Sequence, residues 1–119
     1  MFSTVEVASY QTTALKAPER IPINPVLENI GKCESNNNPK AKNPNSSASG
    51  RFQFIKSSWE YYGKQLWGDE LKNKDVFEWD DNTELAEYVY SKNGTKDWES
   101  SKLCWSKITN GKVLLNTAD

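Results

Sequence analysis

Cys33-Glu34-Ser35-Asn36-Asn37-Asn38-Pro39-Lys40-Ala41-Lys42-Asn43-Pro44-Asn45-Ser46-Ser47-Ala48-Ser49-Gly50-Arg51-Phe52-Gln53-Phe54 is the stretch that decides how the chain is read. Just before it, Asn24-Pro25-Val26-Leu27-Glu28-Asn29-Ile30-Gly31-Lys32-Cys33 has the marks of a short helix. Asn24 suits the N-cap, and Pro25 suits the first turn, where its missing N–H is not needed. Leu27, Ile30 and Glu34 recur at i, i+3 and i+7, which places them on one helix face. Glu34 therefore ends an apolar stripe, where loss of water raises the pKa of a carboxyl towards that of a useful general acid. The same pattern also fits a solvated acid at a fraying helix end. From Ser35 to Gln53 there is no Asp or Glu, and Ser, Asn, Pro and Gly supply turn chemistry throughout. Arg51-Phe52-Gln53-Phe54 alternates as a short half-buried strand would, with Gln53 on the face of Arg51. An ordinary exposed strand residue would look the same as Gln53 here.

Further helices follow. Ser57-Ser58-Trp59-Glu60 has the Ser-x-x-Glu form of a capping box and opens a helix to about Leu66, with Gly68 as its stop. Trp59, Tyr62 and Leu66 share one face of it. Asp69 to Trp79 is acidic and irregular. Asp81-Asn82-Thr83-Glu84 reads as another capped start, with Leu85, Ala86, Val89 and Tyr90 as the apolar face and Asn93-Gly94 as the C-cap. Asp97 is placed to cap a last turn carrying Trp98 and leading to Cys104. Lys107 to Val113 fits a hairpin with an Asn-Gly turn, or a helix ended by Gly111.

Composition sets the bounds. At 119 residues the chain has room for one small domain, near the size at which a single core is barely adequate. Five Trp, five Tyr and four Phe supply large apolar areas, suited to core packing or to stacking on sugar rings. A net charge of −1 gives no global attraction to nucleic acid or anionic lipid. Charge is nevertheless segregated: Gly31 to Lys64 holds six Lys/Arg against two acids, and Gln65 to Cys104 holds ten acids against five Lys. A basic site region suits an anionic polymer; a solvated lysine-rich loop would look alike. With no His there is no His-dependent triad or His metal site, and no phosphate loop or metal-ligand cluster is present. No cofactor, metal or nucleic-acid partner is expected. No apolar run is long enough for a secretory core or a membrane helix.

Cys-Glu-Ser, the Asn-rich loop, Ser-Gly-Arg-Phe-Gln-Phe-Ile and Ser-Ser-Trp together resemble the lysozyme-like superfamily, above all the resuscitation-promoting-factor domain. Soluble lytic transglycosylases and goose-type lysozymes are more distantly similar. The resemblance covers roughly Pro25 to Trp105. It implies an α+β, mainly helical lysozyme-like domain with a small β element beside the active-site groove. The expected division is residues 24–105 as that domain, 1–23 as a linker or pro-segment left after removal of an upstream targeting element, and 106–119 as a C-terminal extension that fits a hairpin. The resemblance also implies Glu34 as the catalytic acid, Gln53 of Gly50-Arg51-Phe52-Gln53 as a substrate-positioning residue, and a Cys33–Cys104 disulfide. A looser match, Tyr90-Ser91-Lys92-Asn93-Gly94, adds Tyr90 and Asn93 to the groove, with Trp59 as a further substrate contact. The disulfide in turn implies an oxidising compartment, extracellular, cell-wall or periplasmic; two buried free thiols in a cytosolic protein are the other reading of the cysteines. The implied activity is cleavage of the β-1,4 bond between N-acetylmuramic acid and N-acetylglucosamine in peptidoglycan, by a monomer.

Glycosidic cleavage needs an acid to protonate the leaving oxygen. A hydrolase usually adds a second carboxylate, at ~5–5.5 Å as nucleophile or ~6.5–9.5 Å as base. The loop after Glu34 supplies none, which favours a one-acid mechanism, and Asp80, Asp81 and Glu84 are the candidates that could reach the site from afar. The alternative of a different class is a glycan- or partner-binding module without turnover, since fold does not fix function. A wall-piercing component of a phage or secretion system would change the setting and keep the chemistry.

Overall fold

The computed structural model describes residues 22–109, 112 and 113. The expectation for residues 1–23 falls almost entirely outside them, as do Asn110 and Gly111 of the expected turn. The described part is mainly helical. Helix α1 spans Pro25–Ser35, α2 Lys56–Trp67, α3 Trp79–Asn93 and α4 Lys102–Trp105, with 3₁₀ segments at Gly68–Asn73 and Lys96–Ser101. Two short strands, β1 (Ile108–Thr109) and β2 (Lys112–Val113), pair antiparallel with Ile108 opposite Val113. No helix among the described residues is long and apolar enough to cross a membrane.

Helix α1 starts and stops on sequence signals. The Asn24 side chain accepts the Val26 N–H at 2.8 Å, and Pro25 occupies the first turn. At the other end Asn36 takes a left-handed φ of 58°, and the N–H groups of Asn36 and Asn37 cap the Lys32 and Gly31 carbonyls. Leu27 and Ile30 are buried, and Glu34 on the same face is half-buried. Around them Phe52, Phe54, Leu85, Ala86, Val89, Trp98 and Trp105 complete one core.

The expected strand over Arg51 to Phe54 is corrected. Residues 50–53 form a tight four-residue reversal closed by two hydrogen bonds between Ser49 and Phe54, at 3.0 and 3.1 Å. Gly50 at φ 84° and Gln53 at φ 54° turn the chain back on itself, and β structure here is limited to isolated bridges, Lys42 with Ser49 and Ser49 with Phe54. Because the segment turns, Arg51 and Phe52 both point inward, where a strand would have sent them to opposite faces. Gly50 is required on two grounds: its φ is left-handed, and a Cβ there would collide with the Asn82 amide and the Val76 carbonyl.

Arg51 holds the reversal against three other segments. Its Nε donates to Asn37 Oδ1 at 2.8 Å, Nη1 to Thr83 Oγ1 at 2.9 Å and Nη2 to Glu28 Oε1 at 3.1 Å. The guanidinium also lies 3.8 Å from the Trp79 ring centroid. Asn82, fully buried, accepts the Phe52 N–H and donates to the Val76 carbonyl. Arg51→Met keeps the length of the side chain but strands the oxygens of Asn37 and Thr83. It is expected to cost about 2–4 kcal/mol, at ~1–3 kcal/mol per unsatisfied buried group, read from urea unfolding. A cost below about 1 kcal/mol would show that the reversal stands without this network.

Two helix starts also differ from expectation. Helix α2 begins at Lys56 with Ile55 as its N-cap and no side-chain cap, so Ser57 and Glu60 already lie inside it and form no capping box. The Ser47 hydroxyl, from the loop, accepts the Lys56 N–H at 2.9 Å instead. Helix α3 begins at Trp79, capped by Glu78, whose carboxylate accepts the Asp80 and Asp81 N–H groups. The earlier start carries Asn82 and Thr83 inward as partners of the reversal. The stops at Gly68 and Gly94 lie where expected, both at positive φ. Thr95, rather than Asp97, precedes the last 3₁₀ segment.

Candidate active site

Glu34 lies on the last turn of α1, directly above the buried Ile30, and opens into a cleft of about 290 Å³. Its walls come from three parts of the chain. The loop gives Asn43 and Ala48, the reversal and the start of α2 give Gln53, Phe54 and Ser58, and the last 3₁₀ segment gives Asp97, Trp98 and Ser100. The buried indole of Trp98 donates to the Phe52 carbonyl at 3.2 Å and packs on Phe52 and Phe54, which locks the two walls together.

The Ser101 hydroxyl donates to Glu34 Oε2 at 2.6 Å. Oε1 has no hydrogen bond among the described residues, and no buried side-chain oxygen there lacks a partner, so Oε1 is the oxygen left open. Burial pushes the Glu34 carboxyl above its usual range, and the hydrogen bond from Ser101 opposes this more weakly. This is the condition in which a carboxyl keeps a proton to give away.

Gln53 shares the cleft with Glu34. Its amide Nε2 is bound to the Gly50 and Ala41 carbonyls, at 2.9 and 3.2 Å, so its side chain also pins the loop. Trp59, Tyr90 and Asn93 are not among the residues lining this cleft. Trp59 packs on Phe54 and Trp67 and lines a neighbouring hollow of about 220 Å³ with Lys42 and Lys56. Tyr90 is half-buried against the core, and Asn93 donates to the Tyr62 hydroxyl and to Asp97.

The candidates for a second carboxylate also lie elsewhere. Asp81 is paired with Lys74, Glu84 accepts from the Trp67 indole, and Asp80 is exposed at the start of α3. Asp97, which the sequence offered only as a helix cap, does line the cleft.

A disulfide joins Cys33 to Cys104 across 71 positions, with Cα atoms 6.0 Å apart. It fastens the residue before Glu34 to α4, three residues after Ser101. That bridge is the signal by which Asp97 to Ser101 could have been placed beside Glu34.

The family model for the transglycosylase-like domain matches residues 22–101, which hold every residue of this cleft. The chain belongs to the transglycosylase-like family. It is the resuscitation-promoting-factor-like family that Cys33-Glu34-Ser35 and Gly50-Arg51-Phe52-Gln53 resemble, and it supports a peptidoglycan-acting enzyme. No curated protein and no solved structure matches the chain. The match ends at Ser101, so this transglycosylase-like domain includes both walls of the cleft.

Proposed function

We propose that this transglycosylase-like domain is a lytic transglycosylase of lysozyme-like fold, spanning residues 24–105 and acting outside the cytoplasm. It cuts the β-1,4 bond between N-acetylmuramic acid and N-acetylglucosamine with Glu34 as its acid and base. The observation that carries the reading is the state of Glu34: half-buried, raised in pKa, anchored through one oxygen and open through the other.

Glu34 Oε1 gives its proton to the glycosidic oxygen as the bond breaks. The muramyl 6-hydroxyl then closes on the anomeric carbon, and the carboxylate takes up the hydroxyl proton. The products are an anhydro-muramyl end and a free N-acetylglucosamine hydroxyl, and Glu34 is protonated again. Gln53, which lines the same cleft, positions the sugar. Trp59 stands at the neighbouring hollow as a flanking contact, while Tyr90 and Asn93 act through packing and through Asp97.

A second reading rests on one observation, the presence of Asp97 in the same cleft. As a general base for water it would make the enzyme a hydrolase. Mass spectrometry of digested sacculi separates the readings. Anhydro ends are the expected product; reducing ends would favour the hydrolase, and no product the binding module. Asp97→Asn is expected to lower turnover by less than the ~10²-fold typical of losing a general base. A larger loss, with reducing ends in the wild type, would move the function to hydrolysis.

A further inference from the structure

The Ser101 hydroxyl is within hydrogen-bond distance of two acceptors, Glu34 Oε2 at 2.6 Å and the Trp98 carbonyl at 3.1 Å. A hydroxyl has one proton and spare lone pairs, so it cannot donate fully to both at once. We propose that Ser101 is a positioning residue that holds Glu34 Oε2 in both protonation states, leaving Oε1 alone to exchange protons with the substrate. This deepens the acid–base reading of Glu34 and rests on it.

When Glu34 is ionised, the Ser101 proton points at Oε2. When Glu34 is protonated, the proton sits on Oε1, and Oε2, now the carbonyl oxygen of the acid, still accepts from Ser101, whose oxygen is kept in place by the nearby Trp98 carbonyl. No atom has to move except a hydrogen, so the carboxyl keeps its place through the cycle.

Three features keep this contact in register. The Trp98 carbonyl is held from its other side by the Trp105 indole N–H at 3.0 Å. Trp98 is buried against Phe52 and Phe54. The Cys33–Cys104 bridge closes a small ring that runs from Cys33 to Glu34, across the hydrogen bond to Ser101, and along the chain to Cys104. Other charges near Glu34 do not duplicate the role. Asp97 is the other titratable side chain lining the cleft among the described residues, and it accepts from Asn93. Lys102 and Glu99, from α4 and the 3₁₀ segment, pair with each other at 3.8 Å.

The test compares Ser101→Thr with Ser101→Val, which have the same branched shape and differ in the hydroxyl. Thr Oγ1 can still bond the carbonyl three residues back. On soluble glycan strands, Ser101→Val should lower kcat by about tenfold with KM within about twofold, the pattern of a group acting in the reaction rather than in binding. Its alkaline limb of activity should move to higher pH, because the carboxylate has lost a donor. Ser101→Thr should restore both. A carbon-13 NMR titration of the Glu34 carboxyl, which needs no turnover, should show Glu34 titrating higher in Ser101→Val than in Ser101→Thr. Equal titrations, or equal kinetics for the two variants, would overturn the proposal. Absence of turnover in the wild type would instead sink the acid–base reading, and the titration would still decide whether Ser101 holds Glu34.

Discussion

Glu34→Gln is expected to cut peptidoglycan cleavage by at least ~10²–10⁴-fold, the usual contribution of a general acid–base group, while the protein stays folded. The amide has the shape of the carboxyl and its oxygen can still accept from Ser101, but it has no proton to give to the leaving oxygen. The same substitution should raise thermal stability at neutral and alkaline pH. Burial raises the Glu34 pKa in the fold above its unfolded value. Between those two values the folded state holds the extra proton, so stability falls as pH rises through that window. Above the folded value the cost of the buried carboxylate is fully present, and below the unfolded value it is gone. A neutral amide at this position carries no such cost, so the melting curves of variant and wild type should separate at about pH 8 and converge at acid pH. Release of anhydro-muropeptides from sacculi measures the first effect and paired melts the second. Cleavage by Glu34→Gln at the wild-type rate would remove Glu34 from the mechanism, and equal melts at the alkaline end would deny that its burial is costly.

The second large effect is expected from the disulfide. Replacing Cys33 and Cys104 together by serine should lower the unfolding free energy by about 4 kcal/mol, the chain-entropy value for a loop of this length. For a domain of this size that corresponds to a Tm lower by roughly 15–30 °C. Calorimetry of the double variant checks the figure, and wild type in reductant is an independent route to it, since Cys104 is exposed. Activity below the new Tm should also fall, because the bridge sets the distance between Glu34 and Ser101. A variant that loses stability yet keeps full turnover would mean that the packing of Trp98 alone holds the cleft wall. A loss of less than about 1 kcal/mol would mean that the unbridged chain is already restricted when unfolded.

Much of this domain is written locally. Asn24-Pro25 starts α1, and Gly68 and Gly94 stop α2 and α3, because caps and left-handed stops depend on a few adjacent residues. The spacing of Leu27, Ile30 and Glu34 placed a carboxyl at the edge of the core, since helical period reports which residues share a face. The Cys33-Glu34-Ser35 and Gly50-Arg51-Phe52-Gln53 motifs pointed to the family that residues 22–101 match.

What the tertiary structure decided is what those residues meet. Alternation at Arg51 to Phe54 looked like a strand because period says nothing of a chain reversal; an arginine turns inward only where Asn37, Thr83 and Glu28, from three other segments, gather around it. Helices α2 and α3 start before their apparent caps because partners outside the helix, the Ser47 hydroxyl of the preceding loop for one and the buried site of Asn82 for the other, outweigh local capping worth about 1 kcal/mol. The far wall of the cleft lies more than sixty residues from Glu34 in the chain, with Ser101 at a separation of 67. No local pattern records that meeting. It comes from burying Trp98 and from closing the disulfide, and these bring a hydroxyl to the one carboxyl that the sequence had singled out.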